Sequence, residues 1–213
     1  MNTFITGSCY RTEWMLPWFI RNFRQWNESS ITFFDFGIRN KDYLRMFDNV
    51  IKLNKTDSNT TWFMKPKAML ESPGDKTVWI DVDCEIIGPV DSIFDYIVPD
   101  KLLMAEDKPW TTRSGRQWYN SGVVGFEGKP KILKDWEYKC RVDPVTGDQE
   151  TLHIMIGDNP IDNLRYIEEM PRKYNVLRID HLDGTVPPNP LIHHWTGYKG
   201  KYEIKRQMTE FVS

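Results

Sequence analysis

The chain has 213 residues, 40% of them apolar and 14% aromatic, which is enough to bury a sizeable core and argues against a disordered chain. Its 28 Lys+Arg nearly balance 30 Asp+Glu, whereas a nucleic-acid or anionic-membrane surface carries a basic excess. No run reaches the roughly 18 apolar residues needed to span a bilayer. The start "MNTFITGSCYRTEW" does not read as a secretory leader, so a cytoplasmic protein is expected. Cys9, Cys84 and Cys140 are odd in number and lack zinc-like spacing, so they read as reduced, buried or half-buried thiols. "NKT" at Asn54 and "NTT" at Asn59 match glycosylation sequons, which are accidental without a secretory route.

In chain order, "TFITG" reads as a first strand, and "YRTEWMLPWFIRNFRQW" as a helix with Pro17 as a kink or a late start. "SITFFDFG" is a second strand, "KDYLRMF" a short helix and "NVIKLN" a third strand. "FMKPKAMLES" reads as a helix closed by the "SPGD" turn. "TVWIDVDCEIIGP" follows as a strand, then "PVDSIFDYI" as a helix. "KLLMAED" and "WYNSGVVGFEG" are further strands, and "PKILKDWEYKCRV" is a helix opened by Pro130. "GDQETLHIMIG" is a helix that Asp148 can cap, "NVLRID" a late strand, "VPPNP" a rigid loop and "LIHHW" a last short strand. "YEIKRQMTEFVS" closes the chain as a helix. Strands alternating with helices through the first half indicate one domain with an open α/β sheet.

Four stretches carry groups suited to chemistry. Asp81 and Asp83 end an apolar strand and, as i and i+2 neighbours, share a face. Ligands of open α/β sheets bind beyond the carboxyl ends of strands, where two carboxylates suit Mg²⁺ or Mn²⁺ bridging to phosphate. In "LIHHWTGYKGK", His194 can supply a third ligand, and the glycine-lysine turn can meet a diphosphate. Taken alone, that stretch reads better as two ordinary half-buried histidines and solvent-facing lysines. In "YNSGVVGF", Asn120 and Ser121 sit at a strand mouth and Gly122 allows close approach of another group; a strand-entry turn is an equally good reading. In "GDQE", Asp148 and Gln149 open a helix, and simple capping by Asp148 would account for the carboxylate.

Taken together and in this order, these stretches resemble the GT-A fold nucleotide-sugar glycosyltransferases, in particular the glycogenin-like retaining group, family 8. "WIDVD" resembles that family's metal-binding aspartate motif, "YNSGVVGF" its Asn-Ser-Gly strand and "GDQETL" its Asp-Gln helix start. "HHWTGYKGK" resembles its His-x-x-Gly-x-x-Lys signature, and Lys65 in "FMKPKAML" stands where the family has a basic residue near the donor phosphates. The resemblance runs from Thr3 to Lys201. The small size is also similar to that of glycosyltransferase domains that large chlorella viruses use to decorate capsid glycans, for which the compartment would be the host cytoplasm.

The resemblance implies a single GT-A domain over residues 1–213, a Rossmann-like open mixed sheet flanked by helices. Its nucleotide-binding half would cover about residues 1–100 and its acceptor and catalytic half about residues 101–213. It implies a metal-dependent retaining transferase moving a hexose or deoxyhexose from a UDP-sugar to a glycan or glycoprotein. Asp81, Asp83 and His194 would hold Mn²⁺ or Mg²⁺. Thr6, Tyr10, Lys65, Asp81, Val82, Asn120, Ser121, Gly197, Lys199 and Lys201 would line the donor site. Asp148 would position the donor sugar, and Gln149 would lie nearest the anomeric carbon. One departure stands out: the family's lysine would fall at Gly200, with Lys199 and Lys201 on either side. Two other functions compete. A sugar-phosphate nucleotidyltransferase also sets acidic residues beside a metal and a nucleotide, but wants a Gly-rich basic loop that "TGSCYRTEW" barely offers. A non-catalytic nucleotide-sugar-binding module would not need the intact aspartate pair.

Overall fold

The computed structural model describes residues 1–53 and 61–210, so the two sequons at Asn54 and Asn59 lie outside the described residues. The strands are β1 (Asn2–Ser8), β2 (Ile31–Asp35), β3 (Asn49–Lys52), β4 (Lys76–Ile80), β5 (Cys84–Ile86), β6 (Leu102–Glu106), β7 (Tyr119–Glu127), β8 (Ile167–Glu169), β9 (Val176–Leu177) and β10 (Ile192–His194). The helices are α1 (Leu16–Trp26), α2 (Lys65–Leu70), α3 (Lys108–Ser114), α4 (Lys131–Val142), α5 (Asp148–Ile156), α6 (Pro160–Asn163), α7 (Arg178–Asp183) and α8 (Gly197–Glu210). A seven-stranded mixed sheet runs β3-β2-β1-β4-β7-β6-β8, and a small three-stranded sheet runs β5-β10-β9.

The large sheet is covered on both faces, so its central strands are apolar throughout instead of alternating. Val78 and Ile80 of β4 join Phe4, Phe19, Phe23 and Phe33 on the α1 side. Trp79, between them, points the other way, to Ile5, Phe34, Val124 and Trp136. Cys9, Cys84 and Cys140 are all free and buried, as expected. Pro17 marks a late start: it sits in the first turn of α1, behind a 3-10 turn at Glu13–Met15.

Several expectations need correction. "KDYLRMF" and "PVDSIFDYI" form 3-10 helices (Lys41–Met46 and Asp91–Tyr96), short pieces of the tighter i→i+3 geometry. "NVLRID" gives two strand residues and then α7, whose first turn the Asp180 carboxylate stabilises by accepting from Leu177 N at 2.9 Å. Asp148 does not cap α5; Gly147 occupies the cap position, and the Asp148 side chain turns inward to Ser121. The closing helix starts at Gly197, so the expected Gly-Tyr-Lys-Gly-Lys turn is the opening of α8. Finally, β4 stops at Ile80, and Asp81 to Asp83 form a turn closed by Cys84 N donating to Asp81 O at 3.0 Å.

Candidate active site

That turn explains how two aspartates and a histidine meet. Asp81 N still donates to Gly122 O (2.8 Å), extending the β4–β7 ladder by one residue. The chain then crosses into the small sheet, where Cys84 of β5 pairs antiparallel with His194 of β10 and Trp195 N donates to Asp83 O at 3.0 Å. His194 Nε2 consequently lies 3.3 Å from Asp83 Oδ1 and 4.0 Å from Asp81 Oδ2. Convergence comes from the junction of two sheets, not from strand alternation.

Gly122 makes room for the ring: a Cβ there would lie 2.0 Å from His194 Cε1. His194 Nδ1 faces two amide oxygens, Oδ1 of Asn120 and Oδ1 of Asn175, each at 3.1 Å. Both accept, so Nδ1 carries a proton, and Nε2 points at the two aspartates, where it can ligate a cation held between them. The donor set, two carboxylates and an imidazole, fits a divalent ion of mixed oxygen and nitrogen preference, Mn²⁺ better than Mg²⁺.

Among the described residues, ligating atoms of Asp83, Cys84 and His194 also lie within 4.8 Å of one another. Burial, reinforced by Asp83 and Asp81, pushes the Cys84 thiol well above its usual range, so it stays protonated among core side chains. A protonated thiol is a poor ligand. Asp81 is the better third donor.

Lys65, at the start of α2, is buried beneath this cluster. Its ammonium donates to Asp81 (3.1 Å), Ser121 O (3.1 Å) and Ser121 Oγ (3.2 Å), and lies 3.1 Å from Asp148 Oδ2. Burial disfavours its charge, but Asp148 and Asp81 outweigh that and raise its pKa. Asp83 is held well below the usual carboxylate range, because His194 and Lys201 overcome the cost of burial. Asp81 moves the other way: burial and repulsion from Asp83 and Asp148 exceed the pull of Lys65 and His194. The pair is thus split, with Asp83 committed to the charged form.

Asp148 Oδ2 also accepts from Ser121 Oγ at 2.8 Å, and Trp136 Nε1 holds the Asp148 carbonyl at 2.9 Å. Gln149 is pinned at both ends of its amide. Its oxygen accepts from Asn120 Nδ2 (3.0 Å) and Ser121 N (3.1 Å), and its nitrogen donates to Asp107 Oδ2 at 3.2 Å.

Two cavities meet at Lys65, Asp81, Asp83 and Asp148. One, of about 220 Å³, lies over the carboxyl end of β1 against Gly7, Cys9, Phe36, Trp79 and Val82. The other, of about 400 Å³, extends past Asn120, Gln149 and His194 to Trp110 and Glu150. Gly197 lines the larger cavity, and Lys201 lines the smaller one, paired with Asp83. Lys199 is exposed and lines neither. Gly200 points back at the Trp195 carbonyl, where a Cβ would come within 1.9 Å. Thr6 is fully buried in β1 and Tyr10 stacks with Arg39, so both fall outside the two linings. Asp107 and Asn175 are site residues that motif spacing does not reveal, since each reads as an ordinary polar residue at an element boundary.

No protein-family model matches the chain, and no curated protein matches it in sequence. Its fold does match solved structures. The galactosyltransferase LgtC, solved with donor and acceptor sugar analogs, superposes with a TM-score of 0.68 and 14% identity over 98% of this chain and 94% of LgtC. The glycosyltransferase GlyE of Streptococcus pneumoniae TIGR4 gives 0.66 and 17% over 92% of this chain and 54% of GlyE. A glycosyltransferase involved in glycosylation of the major capsid of PBCV-1 gives 0.62 and 12% over 98% of each chain. At these identities the likeness speaks to architecture: the chain has the GT-A glycosyltransferase fold.

Proposed function

We propose that the protein is a metal-dependent retaining glycosyltransferase that moves a hexose or deoxyhexose from a UDP-sugar to a glycan or glycoprotein acceptor. The observation that carries this reading is the meeting of two cavities at one charged cluster, Lys65, Asp81, Asp83 and Asp148, with His194 Nε2 aimed into it. A nucleoside fits the smaller cavity at the end of β1, which puts its diphosphate over Asp81 and Asp83 and its sugar toward Gln149. Asp81, Asp83 and His194 would hold Mn²⁺ or Mg²⁺, which supplies Lewis-acid stabilisation of the departing diphosphate. Lys65 keeps the carboxylates oriented, and Lys201 is the lysine placed to exchange Asp83 for phosphate. Lys199 is too far out in solvent for that role. Asp148, fixed by Lys65 and Ser121, presents its carboxylate to donor hydroxyls.

The bond from the anomeric carbon to phosphate breaks, the acceptor oxygen bonds to that carbon, and its proton passes to the departing phosphate oxygen. Gln149 cannot act as a base and Asp148 is committed to Lys65, so neither serves as the base that an inverting reaction needs. A viral capsid glycan, which the PBCV-1 transferase of the same fold helps to build, is one acceptor to test. A single domain over residues 1–213, divided near residue 100, accommodates both cavities.

The test is incubation with Mn²⁺ and a panel of UDP-sugars, reading free UDP. Metal-dependent UDP release from one sugar supports the reading. Pyrophosphate exchange without UDP release would point to a nucleotidyltransferase, and binding without turnover to a non-catalytic module.

A further inference from the structure

The larger cavity has an outer wall that the donor chemistry leaves unused, carrying Trp110, Arg113, Trp118 and Glu150. Trp110 is 48% exposed on this wall, so its indole is open to a ligand in the cavity. It is not loosely held. Its ring meets Trp118 edge-on (6.1 Å between centroids, 83°), and Trp118 is stacked flat on His153 at 3.5 Å. Its backbone N–H donates to the Asp107 carboxylate at 3.2 Å, which caps α3. An indole braced in this way is preorganised, so a ligand laid on it loses little freedom in ordering the platform.

A flat apolar plate beside polar groups suits a pyranose ring, which has a face of C–H bonds and a rim of hydroxyls. Charge decides which pyranose. Arg113, the only cation on this outer wall among the described residues, is already committed to Asp183 (2.9 Å) and to Pro109 O (2.9 Å). Glu150 and Asp107 line the same space, and among the described residues no cation pairs with either. The outer cavity is therefore acidic without compensation, and an anionic sugar entering it would meet like charge.

We infer that this wall is an acceptor subsite selective for a neutral pyranoside, with Trp110 as its stacking platform and Glu150 as the carboxylate that binds hydroxyls and repels acidic sugars. This rests on the transferase reading of the neighbouring cluster. Uronic acids and other anionic glycans are excluded as acceptors, and neutral hexose or pentose termini are accepted.

The test is saturation-transfer NMR on the full chain with UDP and MgCl₂, which needs no turnover. The probes are the methyl glycosides of glucose, galactose, mannose and xylose, together with methyl glucuronide. At least one neutral glycoside should receive saturation, and methyl glucuronide should receive none. Trp110→Ala should weaken the neutral glycoside at least fivefold, Trp110→Phe should retain most of the binding, and Glu150→Gln should admit the glucuronide. Absence of any glycoside binding, preference of the wild type for the glucuronide, or neutral binding unchanged in Trp110→Ala would each overturn the inference. Release of UDP by a protein whose glycoside binding ignores Trp110 would overturn this inference and leave the transferase reading standing. Glycoside binding at Trp110 without any UDP release would overturn the transferase reading and, with it, the acceptor role of this wall, leaving a neutral-sugar binding site.

Discussion

A methyl group added at Gly122 would lie 2.0 Å from His194 Cε1 and 2.3 Å from Nδ1, so one of them must move. The ring is held from behind by Asn120 and Asn175, and displacing it breaks those bonds and turns Nε2 away from Asp83. Gly122→Ala should therefore weaken Mn²⁺ binding in the presence of UDP at least tenfold, read by calorimetry, with the far-ultraviolet circular dichroism unchanged. Asp35 is a second residue whose role is a matter of a few atoms. Its carboxylate accepts from the backbone N–H of Gly37 and of Ile38, each at 2.8 Å, and from Lys41 at 2.7 Å. Burial opposes the charge, but Lys41 and the two N–H groups hold its pKa below the ordinary value. A depressed carboxylate stabilises the fold above its ordinary pKa of about 4 and loses that contribution as pH falls through the lower folded value. Asp35→Asn should cost about 1–3 kcal/mol at neutral pH, most of it from the backbone bonds because Lys41 is largely in solvent. The gap in melting temperature between variant and wild type should narrow as pH is lowered below about 4. A gap that widens on acidification would contradict the assignment.

Among the elements, α8 shows what a sequence conveys and what it withholds. The motif from His194 to Lys201 locates the element, but spacing alone leaves Lys199 and Lys201 equivalent. The choice is made by Gly200, which packs against the Trp195 carbonyl and so turns Lys201 inward and Lys199 outward. Lys201→Ala should lower UDP affinity about 10- to 100-fold, as loss of one charge-assisted bond implies, and Lys199→Ala should leave it within twofold. Equal losses for both lysines, in a titration of each, would show that α8 is oriented differently. The apolar strands were legible because β4 and β7 are buried on both faces, and the aspartate pair because carboxylates are rare at the end of such a run. The route by which Asp81 and Asp83 converge was not legible, since it depends on β5 leaving the large sheet for the small one. α3 gave no signal because "KPWTTRS" has no apolar period, and among its residues only Pro109 is buried. Asp107 and Asn175 act through partners 13 to 55 positions away in sequence, which no local pattern encodes.

At the scale of the whole molecule, the two cavities share one charged floor, so a donor that spans both would set its diphosphate over that floor and its sugar in the larger cavity. The proposed retention requires the acceptor hydroxyl to approach on the leaving-group side of the sugar. Proton NMR of the first-formed product from an α-linked donor should show an α-linked sugar; a β-linked product would require a base, and Asp107, next to Gln149, would be the residue to test. All of this depends on a metal and a diphosphate sitting between Asp81, Asp83 and His194. The most direct measurement is calorimetric titration of UDP into wild-type protein and Asp83→Asn, each with Mn²⁺ and with EDTA. The account predicts tight binding in the wild type with Mn²⁺, loss of at least tenfold in EDTA, and no metal dependence in a folded Asp83→Asn. Equally tight, EDTA-sensitive binding of UDP by Asp83→Asn would contradict it.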